Sequence, residues 1–324
     1  MRRPQVSAGS RLPRRRPSQP ASVDLILGAT ILIWAFNVTV TRYVLTHGFK
    51  PLAYGAVRYA VAAVLALTVA YVLERSLTVG GRRTLVLIGI AAVFLLVNQI
   101  SFVYSLKLTT ATTVSLIMGT TPIFAAIVSS VLGVDRLTPS FWLATAVGFG
   151  GVALVALGSG GSLSSDLGGD LLALALSASW ACYSVVIAPL MRRYSPYRIS
   201  AVVLCVMVVP FLGISAGQLG EQDYGSLRPL VWFCLAYAIV GPLFLTNLLW
   251  FTAVHRVGAA RATLFANIQP FVAAVFAYVI LSEHLHWLQV VGGFTILAGI
   301  ILERWSRAAP ADEVVEEART RIQV

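Results

Sequence analysis

Apolar residues run along this chain in blocks of about twenty, each closed by a charge, a glycine or a proline. Crossing about 30 Å of hydrocarbon takes roughly 20 mainly apolar residues at the helical rise. On that measure spans are predicted near 24–46, 52–73, 84–106, 111–133, 139–158, 170–190, 197–217, 229–254, 259–281 and 286–303. Some breaks are thin. Only the stretch from Lys107 to Ala111 divides the third span from the fourth, and His255, Arg256 and Arg261 divide the eighth from the ninth. The pattern predicts an all-α membrane protein with ten transmembrane helices.

Composition agrees: 58% of residues are hydrophobic, 11% are charged, and the mean hydropathy is +0.83. Soluble domains carry about a quarter charged residues, so a water-soluble fold is excluded. The net charge of +11 is dispersed over tails and short loops rather than gathered on one basic face, so it reads as membrane topology and not as nucleic-acid binding. With the N-terminus inside, 19 basic residues fall on the cytoplasmic side, while Lys50, Lys107 and Arg228 fall outside and Arg42 and Arg58 lie within spans. Both termini are therefore expected in the cytoplasm.

Residues 1–23, rich in Arg, Pro and Ser, read as a disordered basic tail, with an organellar transit peptide as the alternative; 304–324 read as a second cytoplasmic tail. Cys182, Cys205 and Cys234 lie within apolar segments without ligand spacing, so no metal and no cofactor is expected.

The chain also repeats itself. Asp24 precedes Trp34 by the spacing at which Asp170 precedes Trp180, an offset of 146, with Asn37 matching Tyr183. Gly119 to Thr138 then aligns with Asn267 to His286 at offset 148, pairing Pro122 with Pro270 and Asp135 with Glu283. The predicted organisation is a first five-helix repeat over 24–158, an external Gly/Ser-rich linker over 159–169, and a second repeat over 170–303. Five spans per repeat is an odd number, so the second must enter the membrane from the opposite side. Inverted repeats of this kind mark secondary transporters, whose substrate sites lie between the halves near the midplane.

The residues Ile33-Trp34-Ala35-Phe36-Asn37, Val57-Arg58-Tyr59, the run from Tyr104 through Lys107 and Thr109 to Pro122 and Asp135-Arg136-Leu137, and its counterpart through Pro270 to Glu283 resemble the EamA-type transporters of the drug/metabolite transporter superfamily. The likeness covers about residues 24–303. His284 stands where that family's second motif carries a basic or polar residue, and Asp135 where Glu is commoner. The resemblance implies movement of metabolites or drugs, often amino-acid efflux, across a bacterial inner membrane.

Several side chains are candidates for the solute site. Trp34 with Asn37, and Trp180 with Tyr183, share helix faces at spacing i,i+3 and could clamp a solute or pack between helices. Asn98 and Gln99, with Asn247, Asn267 and Gln269 in the second half, are too far from span ends to face lipid, and either bind substrate or join helices. Thr121 and Trp250 complete the set. Pro122 and Pro270 are expected to bend their helices and free carbonyls toward a cavity. Arg58, about seven residues into the second span, calls for a partner, a water-filled cavity or a carboxylate on the substrate.

No acid is expected at mid-span; Asp24 and Asp170 read as N-terminal helix caps, and the histidines lie at span ends. A membrane-embedded enzyme would need a nucleophile with a base, paired acids or a metal cluster, none of which the sequence offers. A receptor or scaffold is the other alternative. The expected function is transport, most readily export, of small metabolites such as amino acids or drug-like solutes, by alternating access between the repeats. The partners are a small solute and the bilayer; a homodimer is left open.

Overall fold

The computed structural model describes residues 20–133, 139–158, 163–257 and 266–302. Both predicted tails in large part, Asp135, Arg136 and Arg261 lie outside the described residues. All regular structure among those described is helical. In chain order the elements are α1 (Pro20–Thr46), α2 (Pro51–Glu74), α3 (Arg82–Leu108), α4 (Ala111–Met118), α5 (Thr121–Val131), α6 (Pro139–Leu157), α7 (Leu163–Arg193), α8 (Pro196–Glu221) and α9 (Pro229–Ile239). A π-helical segment (Val240–Leu245) then leads into α10 (Thr246–Val257) and α11 (Gln269–Leu281), followed by α12 (Trp287–Leu302).

Eight helical stretches are long and apolar enough to cross a bilayer, Ala111–Val131 counting as one; α11 and α12 are apolar but shorter. The N-terminal part of the predicted ninth span, 259–265, lies outside the described residues. Two expectations are corrected. Helix α7 begins at Leu163, so seven residues assigned to the linker are helical. For the same reason Asp170 is no cap: it stands two turns inside α7 and is buried. Asp24 likewise follows a helix start at Pro20.

The packing repeats at one offset. Lys50 Nζ meets Glu221 at 2.6 Å at one end of the α2–α8 pair, and Arg198 Nη2 meets Glu74 at 2.8 Å at the other. The two helices therefore run antiparallel, and adding 148 to Lys50 and Glu74 gives Arg198 and Gln222. Gln222 takes part as well, its Oε1 accepting from the Lys50 backbone N–H at 2.7 Å. At the second of these ends the Tyr194 hydroxyl accepts from the Gly80 N–H at 3.2 Å, which holds its pKa below the ordinary phenol range.

Helices α6 and α12 repeat the rule. A Cβ on Gly151 would fall 2.7 Å from the Gly292 carbonyl and from the Ile296 amide, and one on Gly299 would fall 2.8 Å from the Gly148 amide and 3.0 Å from the Ala144 carbonyl. Adding 148 to 144, 148 and 151 yields 292, 296 and 299. Only glycine permits backbones this close, a packing mode that suits lipid, where helices associate through contact rather than through expulsion of water.

Helix α4 starts against the segment before α12. Glu283 accepts the Ala111 N–H at 2.9 Å and the Thr112 N–H at 2.8 Å, while the Thr110 side chain accepts from Thr113 N at 3.1 Å. Three of the helix's open N–H groups are thus satisfied. Gln289 Nε2 adds a bond to Thr113 Oγ1 at 3.0 Å.

Candidate functional site

The helical breaks come first, because they set where polar groups point. Each paired proline follows a turn rather than curving an unbroken helix: Gly119-Thr120 precedes α5 and Asn267-Ile268 precedes α11, with Pro122 and Pro270 near the helix starts. A proline there has no amide to lose. Thr121 Oγ1 donates to the Met118 carbonyl at 2.7 Å, so its hydroxyl satisfies the break. Asn267 and Gln269 are half-buried at the matching turn.

The third break is the π segment, which contains Gly241-Pro242. Its Pro242 carbonyl accepts from Thr246 Oγ1 at 2.6 Å and from Trp34 Nε1 at 3.3 Å. The Trp34 ring lies 5.3 Å from that of Trp250, and Tyr237 Oη donates to the Ile33 carbonyl at 2.9 Å. Asn247 Nδ2 donates to the Leu243 carbonyl at 2.6 Å, and Asn247 also lines a cleft of about 40 Å³ with Ala66, Val69, Tyr197, Ser200 and Leu243. A cleft of that size holds a few waters. Interruptions of this kind often mark functional positions in helices.

The strongest polar feature lies between α2, α3 and α7. Arg58 is 3% exposed, and its guanidinium carbon sits 5.6 Å from the Tyr54 ring, 5.1 Å from Tyr59 and 5.6 Å from Phe102. Its Nη2 makes a long contact with Gln99 Oε1 at 3.5 Å, and the Tyr54 and Tyr59 hydroxyls also interact with the guanidinium. From there a chain runs across the helices. Gln99 Nε2 donates to Asn98 Oδ1 at 2.7 Å, and Asn98 Nδ2 to the Leu176 carbonyl of α7 at 2.9 Å. Arg58 Nε and Nη1 find no acceptor among the described residues.

Placing arginine mid-span costs roughly 2.5–3.5 kcal/mol on insertion scales, and a desolvated cation–π contact returns about 2 kcal/mol. The rings therefore offset much of the charge transfer. They leave Nε and Nη1 without an acceptor among the described residues. On α1, Thr41 Oγ1 and Tyr54 Oη are 3.1 Å apart, which registers α1 against α2. One turn further along in the same direction come Asn37 and Arg58; Asn37 is 7% exposed, and its Oδ1 has no partner among the described residues.

Of the predicted residues, Arg58, Gln99 and Asn98 are thus joined in one chain, and Trp34, Trp250 and Asn247 gather at the π segment. Thr121, Asn267 and Gln269 sit at the two turns. Trp180 is 44% exposed and leans on Tyr183 at 5.3 Å, unlike its half-buried counterpart Trp34. Sequence reasoning missed the ring cage. Its signal was present in Tyr54 and Tyr59, which flank Arg58 one turn before and one residue after.

A helical membrane protein with two equivalent halves and buried polar side chains at their breaks has the build of a carrier. The profile of the EamA-like transporter family matches it twice, over residues 22–157 and 167–304, and the chain belongs to that family. Among similar proteins is the uncharacterized transporter YyaM of Bacillus subtilis, 25% identical over 86% of this chain and 91% of that one. Another is the uncharacterized inner membrane transporter YedA of Escherichia coli K12, 25% identical over 89% and 93%. A protein of Streptantibioticus cattleyicolor named as a probable terminal-alkyne amino-acid exporter is 26% identical over 59% of this chain and 63% of its own. A solved crystal structure shares the fold with a TM-score of 0.61 at 18% identity, over 89% of this chain and 99% of that one. The chain is therefore a multi-pass membrane protein of a transporter family.

Proposed function

We propose that this protein exports small organic solutes, amino acids or drug-like metabolites among them, across a bacterial inner membrane by alternating access between two inverted five-helix repeats. The observation that carries this reading is the antiparallel pairing of equivalent helices at a single offset, seen in the Lys50–Glu221 and Arg198–Glu74 pairs and in the crossing of α6 with α12. An inverted pair of halves gives two near-equal ways of packing, one open to each side. The name of the Streptantibioticus cattleyicolor relative supports export.

In this reading the solute passes the polar side chains of the breaks and of the buried chain: Trp34, Asn37, Arg58, Asn98, Gln99, Thr121, Tyr183, Asn247, Trp250, Asn267 and Gln269, with Trp180 at the edge. Pro122 and Pro270 mark where the helices flex. Both termini are cytoplasmic, and transport is passive or by exchange. The test is flux of a radiolabelled panel of amino acids and neutral metabolites in vesicles holding the purified protein. Saturable, protein-dependent movement supports the reading; none above empty vesicles, with insertion verified, removes it.

A further inference from the structure

We infer that Arg58 is the anchor for a single carboxylate on the transported solute, seated in the Tyr54, Tyr59 and Phe102 ring cage. This rests on the carrier reading above and narrows its substrate class.

Three observations converge. The guanidinium is nearly fully buried, yet Nε and Nη1 keep N–H bonds without an acceptor among the described residues. Protein carboxylates do not supply one: among the described residues no Asp or Glu forms an ion pair with Arg58, while Glu74 is held by Arg198 and Glu221 by Lys50. A buried charge needs a partner or water, and an arginine fork matches a carboxylate. The charge count selects a monoanion. The other cations of this part of the fold are committed elsewhere: Arg42 to the Leu106 and Lys107 carbonyls, Lys107 to the Leu45 carbonyl and Lys50 to Glu221. Among the described residues Arg58 alone of these cations keeps buried N–H groups without an acceptor, and one guanidinium balances one negative charge, whereas a phosphate dianion would call for a second. Finally, the walls are aromatic, so the body attached to the carboxylate is apolar.

The experiment compares N-acetyl-leucine, a monoanion, with N-acetyl-leucinamide, its neutral isostere, using full-length protein. Binding is read by thermal shift in detergent and competition by flux in vesicles. Wild type is expected to bind the acid at least about tenfold more tightly than the amide. Arg58→Gln is expected to erase that preference by weakening the acid, and Arg58→Lys, which keeps the charge without the fork, to retain part of it. Should Arg58→Gln fail to fold, the wild-type comparison and Arg58→Lys still decide. Equal binding of acid and amide by wild type, no binding of either, or an undiminished preference in Arg58→Gln overturns the inference. So does sodium chloride stabilising wild type but not Arg58→Gln when the acid has no advantage, which would make the site one for a free inorganic anion. Flux of neutral solutes that survives such a result leaves the carrier reading standing; absence of all flux strikes that reading separately.

Discussion

Removing the Glu283 carboxylate should unfasten the start of α4. Both its oxygens are occupied, by the Ala111 and Thr112 amides at 2.9 and 2.8 Å, and α4 is only eight residues long. A side-chain cap is worth about 0.5–2 kcal/mol, and a carboxylate at the positive end of a helix adds about 0.3–1 kcal/mol. Water can reach this partly buried position and replaces some of what is lost, which keeps the cost below the full penalty of two dry amides. For Glu283→Ala the expected loss is therefore about 1–3 kcal/mol. For Glu283→Gln it is about half that, since the amide oxygen still accepts one N–H but carries no charge. The assay is reversible unfolding in mixed micelles, with Thr110→Ala as a second probe, because Thr110 caps the Thr113 amide independently. If Glu283→Ala stays within about 0.5 kcal/mol of wild type, the range of an ordinary surface change, the cap does not hold α4 and the reasoning fails.

Other outcomes follow from the packing. Gly151→Ala places a Cβ 2.7 Å from the Gly292 carbonyl and is expected to cost about 1–3 kcal/mol by overpacking; Gly89→Ala, with nothing within 4 Å, should be neutral or stabilising by up to about 1 kcal/mol, and equal unfolding of the two would refute the close crossing. A double-mutant cycle on Glu74 and Arg198, whose side chains are 16% and 21% exposed, should return a coupling of about 0.5–1 kcal/mol that shrinks in high salt; zero coupling would mean the pair does not tie α2 to α8. Reporter fusions at Leu163 and after Val324 are expected to label the outside and the cytoplasm respectively, and labelling on one side would exclude the ten-span topology.

The long helices could be read from hydropathy because a backbone in lipid must bond to itself, so span length and apolarity appear together in the sequence. The offset of 148 was equally visible, since prolines and acids are rare enough in apolar runs for Pro122/Pro270 and Asp135/Glu283 to stand out. What escaped was local geometry. Ser164, Ser165 and Asp166 looked like linker, yet they belong to the first turn of α7, because polar residues serve a helix start as well as a loop. The π segment carries only Gly241-Pro242 as a clue, and proline alone does not say whether a helix bends, breaks or widens. At the site, Arg58, Asn98 and Gln99 were legible as costly residues in a span. Their linkage to one another and to the Leu176 carbonyl was not, because it depends on the rotational register of α2, α3 and α7, which hydropathy does not encode.

Solute is expected to cross the membrane between the two halves. The most direct test is flux into sealed vesicles containing oriented, folded protein, wild type against Asn98→Leu, which cuts the polar chain from Gln99 to the Leu176 carbonyl. Saturable wild-type uptake of at least one small organic solute from the panel is expected, with a markedly slower rate in the variant at equal insertion. Wild-type vesicles that move none of the panel faster than empty ones, or an Asn98→Leu rate equal to wild type, would contradict it.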